Sequence, residues 1–199
     1  MYKTYKTLSV LLAVLFALLS AGCAPSPPAF KNTDLTGADC CRDFRLTDHK
    51  GQVRTLADFR GKVVIMFFGY TQCPDVCPTT MMEMTAVLQQ LGADAARVQM
   101  LFVTVDPERD TRELLANYVP AFNPSFIGLY GDLETTARTA KEFRVFYQKQ
   151  PGSTPTSYTV DHTAGSYVFD PQGKVRLFAR YGDGGANLAA DLRLLLKQG

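Results

Sequence analysis

Hydrophobic residues along this chain form two continuous runs with a helical pattern between them. The runs cover residues 62–68 and 98–105 and are rich in β-branched and aromatic side chains, which is typical of strands buried on both faces of a sheet. From Pro78, a favourable residue for a helix start, apolar residues recur at helical spacing as far as Gly92, a common helix stop. Residues 62–105 therefore predict a βαβ unit with parallel strands and a right-handed crossover.

The segment before this unit predicts an N-terminal β-hairpin. Residues 44–47 and 53–56 alternate apolar and polar side chains around the sequence Asp48-His49-Lys50-Gly51. Glycine supplies the positive φ that such a turn requires. We therefore expect His49 to lie on a solvated turn.

The segment after the unit alternates helical and strand patterns. The first elements predicted are a helix capped by Asp110 that ends before Pro120, a strand over 126–130 and a helix to about Val145. They are followed by a polar loop over 148–157, a hairpin over 165–180 and a final helix over 187–197. This order of elements is that of an α/β, thioredoxin-like fold. We expect a central mixed sheet flanked by helices, together with the N-terminal hairpin.

The first residues have the composition of an export signal. Lys3 and Lys6 precede an apolar stretch over 8–19, and small residues separate that stretch from Cys23. This pattern predicts a signal peptide over residues 1–22. The apolar stretch is shorter than the roughly 20 residues of an ordinary membrane-spanning helix, which favours a signal peptide.

The sequence Leu19-Ser20-Ala21-Gly22-Cys23 resembles the lipobox of bacterial lipoproteins, although Ser20 replaces the usual large aliphatic residue. The resemblance implies lipidation of Cys23. The alternatives are cleavage nearby by the ordinary signal peptidase, or an N-terminal segment that stays uncleaved as an anchor. All three place the protein on the membrane surface outside the cytoplasm, in an oxidising compartment. We expect a proline-containing linker over 23–39 and one domain over 40–199.

Charge and composition narrow the class of partner. Once Lys3 and Lys6 are removed with the signal, 19 of the 21 Lys and Arg residues remain, and they balance 19 Asp and Glu residues. No basic patch or charged run is present, which argues against nucleic-acid binding. A hydrophobic content of 46% suits a single globular domain.

The chemistry of the chain centres on two cysteines. Cys73 and Cys77 follow the first buried run, where open α/β sheets place their functional sites. We expect Pro74 and Pro78 to hold them on an irregular surface loop before a helix, where backbone N–H groups and the helix dipole favour a thiolate. Such a pair is suited to redox chemistry or to binding a soft metal.

A third candidate ligand comes from a distant part of the sequence. His162 precedes the C-terminal hairpin, and the expected fold brings this loop beside Cys73 and Cys77. Two thiolates and one imidazole suit Cu(I) better than structural zinc, which normally requires four ligands. Asp161 is either an outer partner that orients the imidazole or a turn residue. Residues 106–111 are interpreted as a turn followed by a helix cap.

Three segments now carry a family resemblance. GYTQCPDVCPTT at 69–80, VDPERDT at 105–111 and DHTAGSYVFD at 161–170 resemble the signature segments of the SCO/SenC family, copper-handling proteins of thioredoxin-like fold. The resemblance covers about residues 42–197. It implies that Cys73, Cys77 and His162 bind Cu(I) or Cu(II), and that Cys73 and Cys77 also form a disulfide in a redox cycle.

The resemblance also implies a function. Family members assist assembly of the copper centre of respiratory haem-copper oxidases, so the implied partners are the oxidase's copper-site subunit and a periplasmic copper donor. The predicted lipid anchor on Cys23 adds the membrane as a partner, on the periplasmic side of a bacterial cell envelope. The alternative is a thiol-disulfide oxidoreductase that reduces that subunit's cysteines. A peroxiredoxin-like peroxidase is a weaker alternative. Thr71 lies two residues before Cys73, whereas those enzymes use a threonine three residues before their reactive cysteine.

Cys40 and Cys41 depart from the family pattern. Adjacent cysteines can form a disulfide only as a strained ring. Free thiols, an extra metal contact and a bond to Cys73 or Cys77 therefore all remain open.

Overall fold

The computed structural model describes residues 29–154 and 157–198. The predicted signal peptide and Cys23 lie outside these residues. Within the described ranges, no helix is both long enough and apolar enough to cross a membrane.

Ten strands and four α-helices make up the described chain. They are β1 (Thr33–Asp34), β2 (Arg45–Asp48), β3 (Val53–Thr55), β4 (Val63–Gly69), α1 (Val76–Leu91), β5 (Val98–Thr104), α2 (Arg112–Phe122), β6 (Ile127–Tyr130), α3 (Leu133–Glu142), β7 (Tyr147–Pro151), β8 (Tyr158–His162), β9 (Gly165–Phe169), β10 (Val175–Arg180) and α4 (Gly185–Leu196). Two 3-10 turns, Leu56–Phe59 and Gly92–Arg97, complete the set.

Eight of the strands form one mixed sheet in the order β1-β10-β9-β4-β5-β6-β2-β3. β4 pairs in parallel with β5, and β5 with β6, whereas the other pairs are antiparallel. The predicted βαβ unit, the N-terminal hairpin of β2 and β3, and the C-terminal hairpin of β9 and β10 are all confirmed. The fold is thioredoxin-like, as the order of elements predicted.

β4 is the central strand, and all seven of its residues are buried. Phe67 packs on Phe102, which in turn contacts Tyr118 of α2. The next residue, Phe68, packs on Phe143, directly after α3. Because successive side chains of a strand point to opposite faces, α2 and the end of α3 cover opposite faces of the sheet.

Both prolines that were expected to bound helices lie inside them. α1 starts at Val76, so Pro78 lies in its first turn, where a missing backbone N–H breaks no hydrogen bond within the helix. α2 continues through Pro120 to Phe122. The predicted end before Pro120 was therefore wrong, because a proline in the last turn removes only one hydrogen bond from a helix that is otherwise well packed.

Two other predictions for loops were wrong. The predicted polar loop over 148–157 contains most of β7, which pairs with β8 in a separate two-stranded sheet. His49 is only 7% exposed instead of solvated. Its Nδ1 accepts a hydrogen bond from the Gly128 N–H at 3.0 Å, and burial lowers the pKa of the imidazole. His49 thus fixes β6 beside the hairpin turn.

The described part of the predicted linker joins the sheet. β1 pairs with β10 at the edge of the sheet. Just before β1, the fully buried carboxylate of Asp191 in α4 accepts hydrogen bonds from the N–H groups of Lys31 and Asn32 and from the Asn32 side chain, at 2.8–3.0 Å. The packed domain therefore begins at about residue 31, before the predicted boundary at 40.

We predict that Asp191→Ala lowers the free energy of unfolding by about 2 to 4 kcal/mol, because three donors, two of them buried, lose their acceptor. Urea denaturation of the variant and the parent chain measures the change. Asp94 forms an exposed ion pair with Arg97, so Asp94→Ala is a matched control that should cost less than about 0.5 kcal/mol. Equal losses in the two variants would contradict the proposed role of Asp191.

Candidate metal centre

The two cysteines lie where β4 passes into α1. Cys73 is half-buried in the connecting loop, whereas Cys77 lies in the first turn of α1 and is fully buried. The expectation that both thiols lie on an irregular surface loop is therefore correct for Cys73 only. A Cβ atom at Gly69 would lie 2.9 Å from the Cys77 Sγ and 2.7 Å from the Phe67 ring. Glycine at the end of β4 thus makes room for the buried sulfur.

His162, the last residue of β8, meets the two cysteines. One ligand atom from each of Cys73, Cys77 and His162 lies within 4.8 Å of the others, and the Cys77 Sγ lies 3.4 Å from His162 Nε2. The imidazole Nδ1 is 3.2 Å from the Thr163 carbonyl oxygen. A proton on Nδ1 makes this contact a hydrogen bond and leaves the Nε2 lone pair directed at the sulfurs.

Asp161 does not contact the imidazole. Its carboxylate accepts a hydrogen bond from Gln150 Nε2 at 2.9 Å, across the β7–β8 pair. Adjacent strand residues point to opposite faces, so Asp161 and His162 diverge. The backbone carbonyl of Thr163 takes the orienting role considered for Asp161.

Two aromatic side chains form the walls of the site. The rings of Phe67 and Tyr70 each lie 5.9 Å from the His162 ring in edge-to-face geometry. The Tyr70 hydroxyl accepts a hydrogen bond from the Val160 N–H of β8 at 3.2 Å. Tyr70 therefore both limits rotation of the imidazole and ties β8 to the loop that carries Cys73.

The two thiols have opposite acidities. Interaction with the Cys77 thiol, aided by the N–H groups of Asp75 and Cys77, lowers the pKa of Cys73 to about 4. The same interaction, together with burial, raises the pKa of Cys77 well above its ordinary value. In the metal-free reduced protein, Cys73 is therefore the thiolate and Cys77 keeps its proton.

An arginine joins the three segments that surround the site. The Arg109 guanidinium donates to the Asp106 carboxylate, to the Tyr158 carbonyl oxygen at 2.9 Å and to Gln72 Oε1 at 3.1 Å. It also lies 3.5 Å over the Tyr158 ring, and the Tyr158 hydroxyl donates to Asp106 at 2.8 Å. We call Asp106, Arg109, Gln72 and Tyr158 the Arg109 cluster. It fixes the start of β8 against the cysteine loop.

Asp110 provides a second tie. Its buried carboxylate accepts hydrogen bonds from the Thr71 N–H at 3.0 Å, the Thr71 hydroxyl at 2.6 Å and the Thr104 hydroxyl at 2.6 Å. Burial raises the pKa of Asp110 even though these bonds act in the opposite direction. The Thr71 hydroxyl is therefore engaged by Asp110, which further weakens the peroxidase alternative.

Sequence reasoning missed the structural role of residues 106–111. The cap of α2 is Thr111, whose side chain accepts a hydrogen bond from the Leu114 N–H at 3.2 Å, and not the predicted Asp110. Asp106 and Asp110 instead point inward, each only 1% exposed. The signal was their position directly after a buried parallel strand, the edge at which such sheets place functional groups.

Comparison with known proteins places this geometry in a family. The SCO1/SenC family model matches residues 32–197, which is most of the chain. The chain belongs to the SCO1/SenC family. The matched region contains all three residues of the Cys73, Cys77 and His162 group.

Individual relatives agree with this assignment. The chain is 44% identical over 141 residues to Protein SCO2 homolog, mitochondrial, of Bos taurus, which covers 70% of this chain and 52% of that protein. It thus spans about half the length of this relative. A solved structure of Bradyrhizobium japonicum ScoI with copper bound is 40% identical, with a TM-score of 0.70, and covers 76% of this chain and 96% of that one. Apo Sco1 from Thermus thermophilus is 39% identical, with a TM-score of 0.75 and coverage of 86% and 100%.

We predict that the alkylation rate of Cys73 in the reduced, metal-free protein is half-maximal at about pH 4 and constant at higher pH, because the thiolate is the reactive form. Iodoacetamide labelling followed by peptide mass spectrometry measures the rate. Cys77→Ala removes the thiol whose interaction lowers the pKa of Cys73, so it should move the midpoint upward. A midpoint for the parent chain near the ordinary thiol value of about 8.5 would contradict the assignment of the protons.

Proposed function

We propose that this protein is a copper metallochaperone that helps to assemble the copper centre of a respiratory haem-copper oxidase. The convergence of Cys73, Cys77 and His162 at one end of the sheet carries the proposal. Copper bound to the ScoI relative from Bradyrhizobium japonicum supports it. In this proposal copper is the cargo, and the three side chains are its ligands.

The donor set favours a particular oxidation state. Two soft sulfurs and one imidazole, with no fourth protein ligand among the residues grouped at the site, suit Cu(I), which tolerates low coordination. We propose Cu(I) as the main form, with Cu(II) as the second form that the family resemblance implies. A site with three ligands leaves a position from which an incoming ligand of a partner can displace them in turn.

The protons of the site set an order for loading. Cys73 is the more exposed sulfur and is already a thiolate, so it makes the first contact with copper. The buried Cys77 must then lose its proton before its sulfur can bind. His162 completes the set through Nε2. Loading therefore releases a proton from Cys77, and the process is favoured as the pH rises.

We predict that Cys73→Ser, Cys77→Ser and His162→Ala each weaken Cu(I) binding by at least about 100-fold, because a direct ligand contributes more than the outer partners whose loss costs 10–100-fold. Anaerobic titration against a Cu(I) chelator measures the affinity. The double variant Cys40→Ser/Cys41→Ser is the matched control and should retain parent affinity. Parent-like affinity in the three ligand variants would refute the proposed site.

A thiol-disulfide oxidoreductase is the second candidate, and the acidities of Cys73 and Cys77 favour it. The Cys73 thiolate would attack a disulfide of the oxidase subunit, and Cys77 would resolve the mixed disulfide, so that two electrons pass to the partner's cysteines. This reaction needs both cysteines but no metal.

A variant of His162 distinguishes the two proposed functions in cells. If the protein delivers copper, we predict that His162→Ala abolishes oxidase assembly even though Cys73 and Cys77 are intact. Oxidase activity in envelopes from cells that express only the variant measures this. Full activity would instead support the reductase, and a Cys73→Ser strain gives the null level for both functions.

We further propose that the protein is attached by lipid on Cys23 to the periplasmic face of a bacterial membrane, where it meets a periplasmic copper donor and the copper-site subunit of the oxidase. The resemblance of residues 19–23 to a lipobox supports this location. The copper ligands then act in the compartment in which the oxidase site is assembled.

We predict that Cys23→Ala abolishes incorporation of radiolabelled fatty acid and leaves the signal peptide uncleaved. Gel mobility and labelling of the immunoprecipitated protein measure both effects. Cys40→Ala is the matched control, because it removes a cysteine that lies beyond the signal. Normal cleavage without labelling in both variants would indicate an ordinary signal peptidase substrate.

A further inference from the structure

A second pair of thiols lies apart from the proposed copper site. Cys40 is half-buried and Cys41 is buried, and their Sγ atoms are 2.7 Å apart. We propose that Cys40 and Cys41 form a vicinal disulfide and constitute a redox couple separate from Cys73 and Cys77. The protein would then hold four electrons in two dithiols when fully reduced.

The fold separates the two pairs. The Cys41 N–H donates to the carbonyl oxygen of Glu142 at the end of α3, on the face of the sheet to which Phe68 points. His162 instead contacts Phe67, on the opposite face. The central sheet thus lies between the pairs, and a disulfide requires Cα atoms closer than about 7 Å. A bond from Cys40 or Cys41 to Cys73 or Cys77 is therefore excluded in the folded chain.

The distance between the sulfurs favours a disulfide over a shared metal ion. Two thiolates that bind one tetrahedral ion at about 2.3 Å each would place their sulfurs about 3.8 Å apart. The observed Sγ–Sγ distance is 2.7 Å. A small further approach reaches the disulfide bond length of about 2.05 Å, whereas metal binding requires the sulfurs to separate.

The backbone is already held in an unusual conformation at this pair. Cys41 has φ 60°, in the left-handed region that residues other than glycine rarely adopt. Three hydrogen bonds keep the segment there: Cys41 N–H to the Glu142 carbonyl at 3.2 Å, Arg42 N–H to the Glu142 carboxylate at 2.9 Å, and Arg144 Nη2 to the Asp39 carbonyl at 3.1 Å. Packing of the domain therefore imposes the conformation that brings adjacent sulfurs together.

The surroundings indicate the class of oxidant. A cleft beside the pair is lined by Arg60 and Lys174, and neither side chain forms an ion pair with a carboxylate of residues 29–154 or 157–198. Their charge favours approach of an anionic reactant. A disulfide is the two-electron oxidant that a dithiol reduces by exchange, so the reactant that fits both the chemistry and the charge is an anionic disulfide of a small molecule.

The reaction balances as thiol-disulfide exchange. The more exposed Cys40 attacks one sulfur of the oxidant and releases the other as a thiol, which leaves a mixed disulfide on Cys40. Cys41 then attacks the Cys40 sulfur and releases the second thiol. Two electrons and two protons pass from the cysteine pair to the oxidant.

The full-length chain in detergent tests the proposal with oxidised glutathione as the probe. The protein is first reduced, the reductant is removed, and oxidised glutathione is then added. The remaining free thiols are alkylated and the protein is digested with trypsin. One peptide, 32–42, contains Cys40 and Cys41, and another, 63–97, contains Cys73 and Cys77. We expect both peptides to lose their alkylation sites, each to become lighter by two hydrogen atoms, and no cross-link to join them.

Variants then assign the roles of the two sulfurs in a chain that carries Cys73→Ser and Cys77→Ser. This background should still close the disulfide in peptide 32–42. Adding Cys41→Ser should trap glutathione on Cys40, whereas adding Cys40→Ser should leave the buried Cys41 unmodified. Far-UV circular dichroism confirms that each variant is folded.

Two outcomes would overturn the proposal. In the first, peptide 32–42 keeps two alkylatable thiols under conditions that fully oxidise peptide 63–97 of the parent chain. In the second, the reduced Cys73→Ser/Cys77→Ser chain retains one equivalent of Cu(I) that Cys40→Ser/Cys41→Ser removes, which would make the pair a metal site. Neither outcome depends on whether His162 binds copper.

Discussion

The position of His162 depends on a partly buried arginine more than on the main sheet. β8 pairs only with β7 in the described chain, so no backbone hydrogen bonds of the large sheet hold it beside the cysteines. The Arg109 cluster supplies the missing connection, together with the Tyr70 hydroxyl. A guanidinium withdrawn from solvent is stabilised where its charge is paired and its N–H groups find acceptors, and in Arg109 Nε and Nη1 do so. Asp106 supplies the opposite charge, and the acceptors come from the two segments that must meet.

The parts of the fold that sequence predicted are those in which burial fixes the residue type. β4 and β5 are buried along their whole length, so their sequences are nearly continuous runs of apolar residues. The cysteines were recognised because they follow such a run. His162 could be placed beside them only through the inferred topology, since no local pattern distinguishes a histidine that binds metal from one that packs, and His49 proved to be of the second kind.

The parts that sequence did not predict depend on contacts between distant segments. β7 is polar because both of its faces are largely exposed, and its strand conformation comes from pairing with β8. Pro78 and Pro120 are tolerated because they lie in the first and last turns of their helices. Asp106 and Asp110 have the composition of a turn, and only the tertiary structure shows that their carboxylates are buried against Arg109 and Thr71.

The attachment of residues 31–34 has a mechanical consequence. A force applied through the N-terminal end of the described chain acts first on the hydrogen bonds of Asp191 and on the two-residue pairing of β1 with β10. β9 and β10 both lie between β1 and the central strand that leads to Cys73. Tension at that end is thus borne by the edge of the sheet and the last helix, and the spacing of the Cys73, Cys77 and His162 side chains is shielded from it.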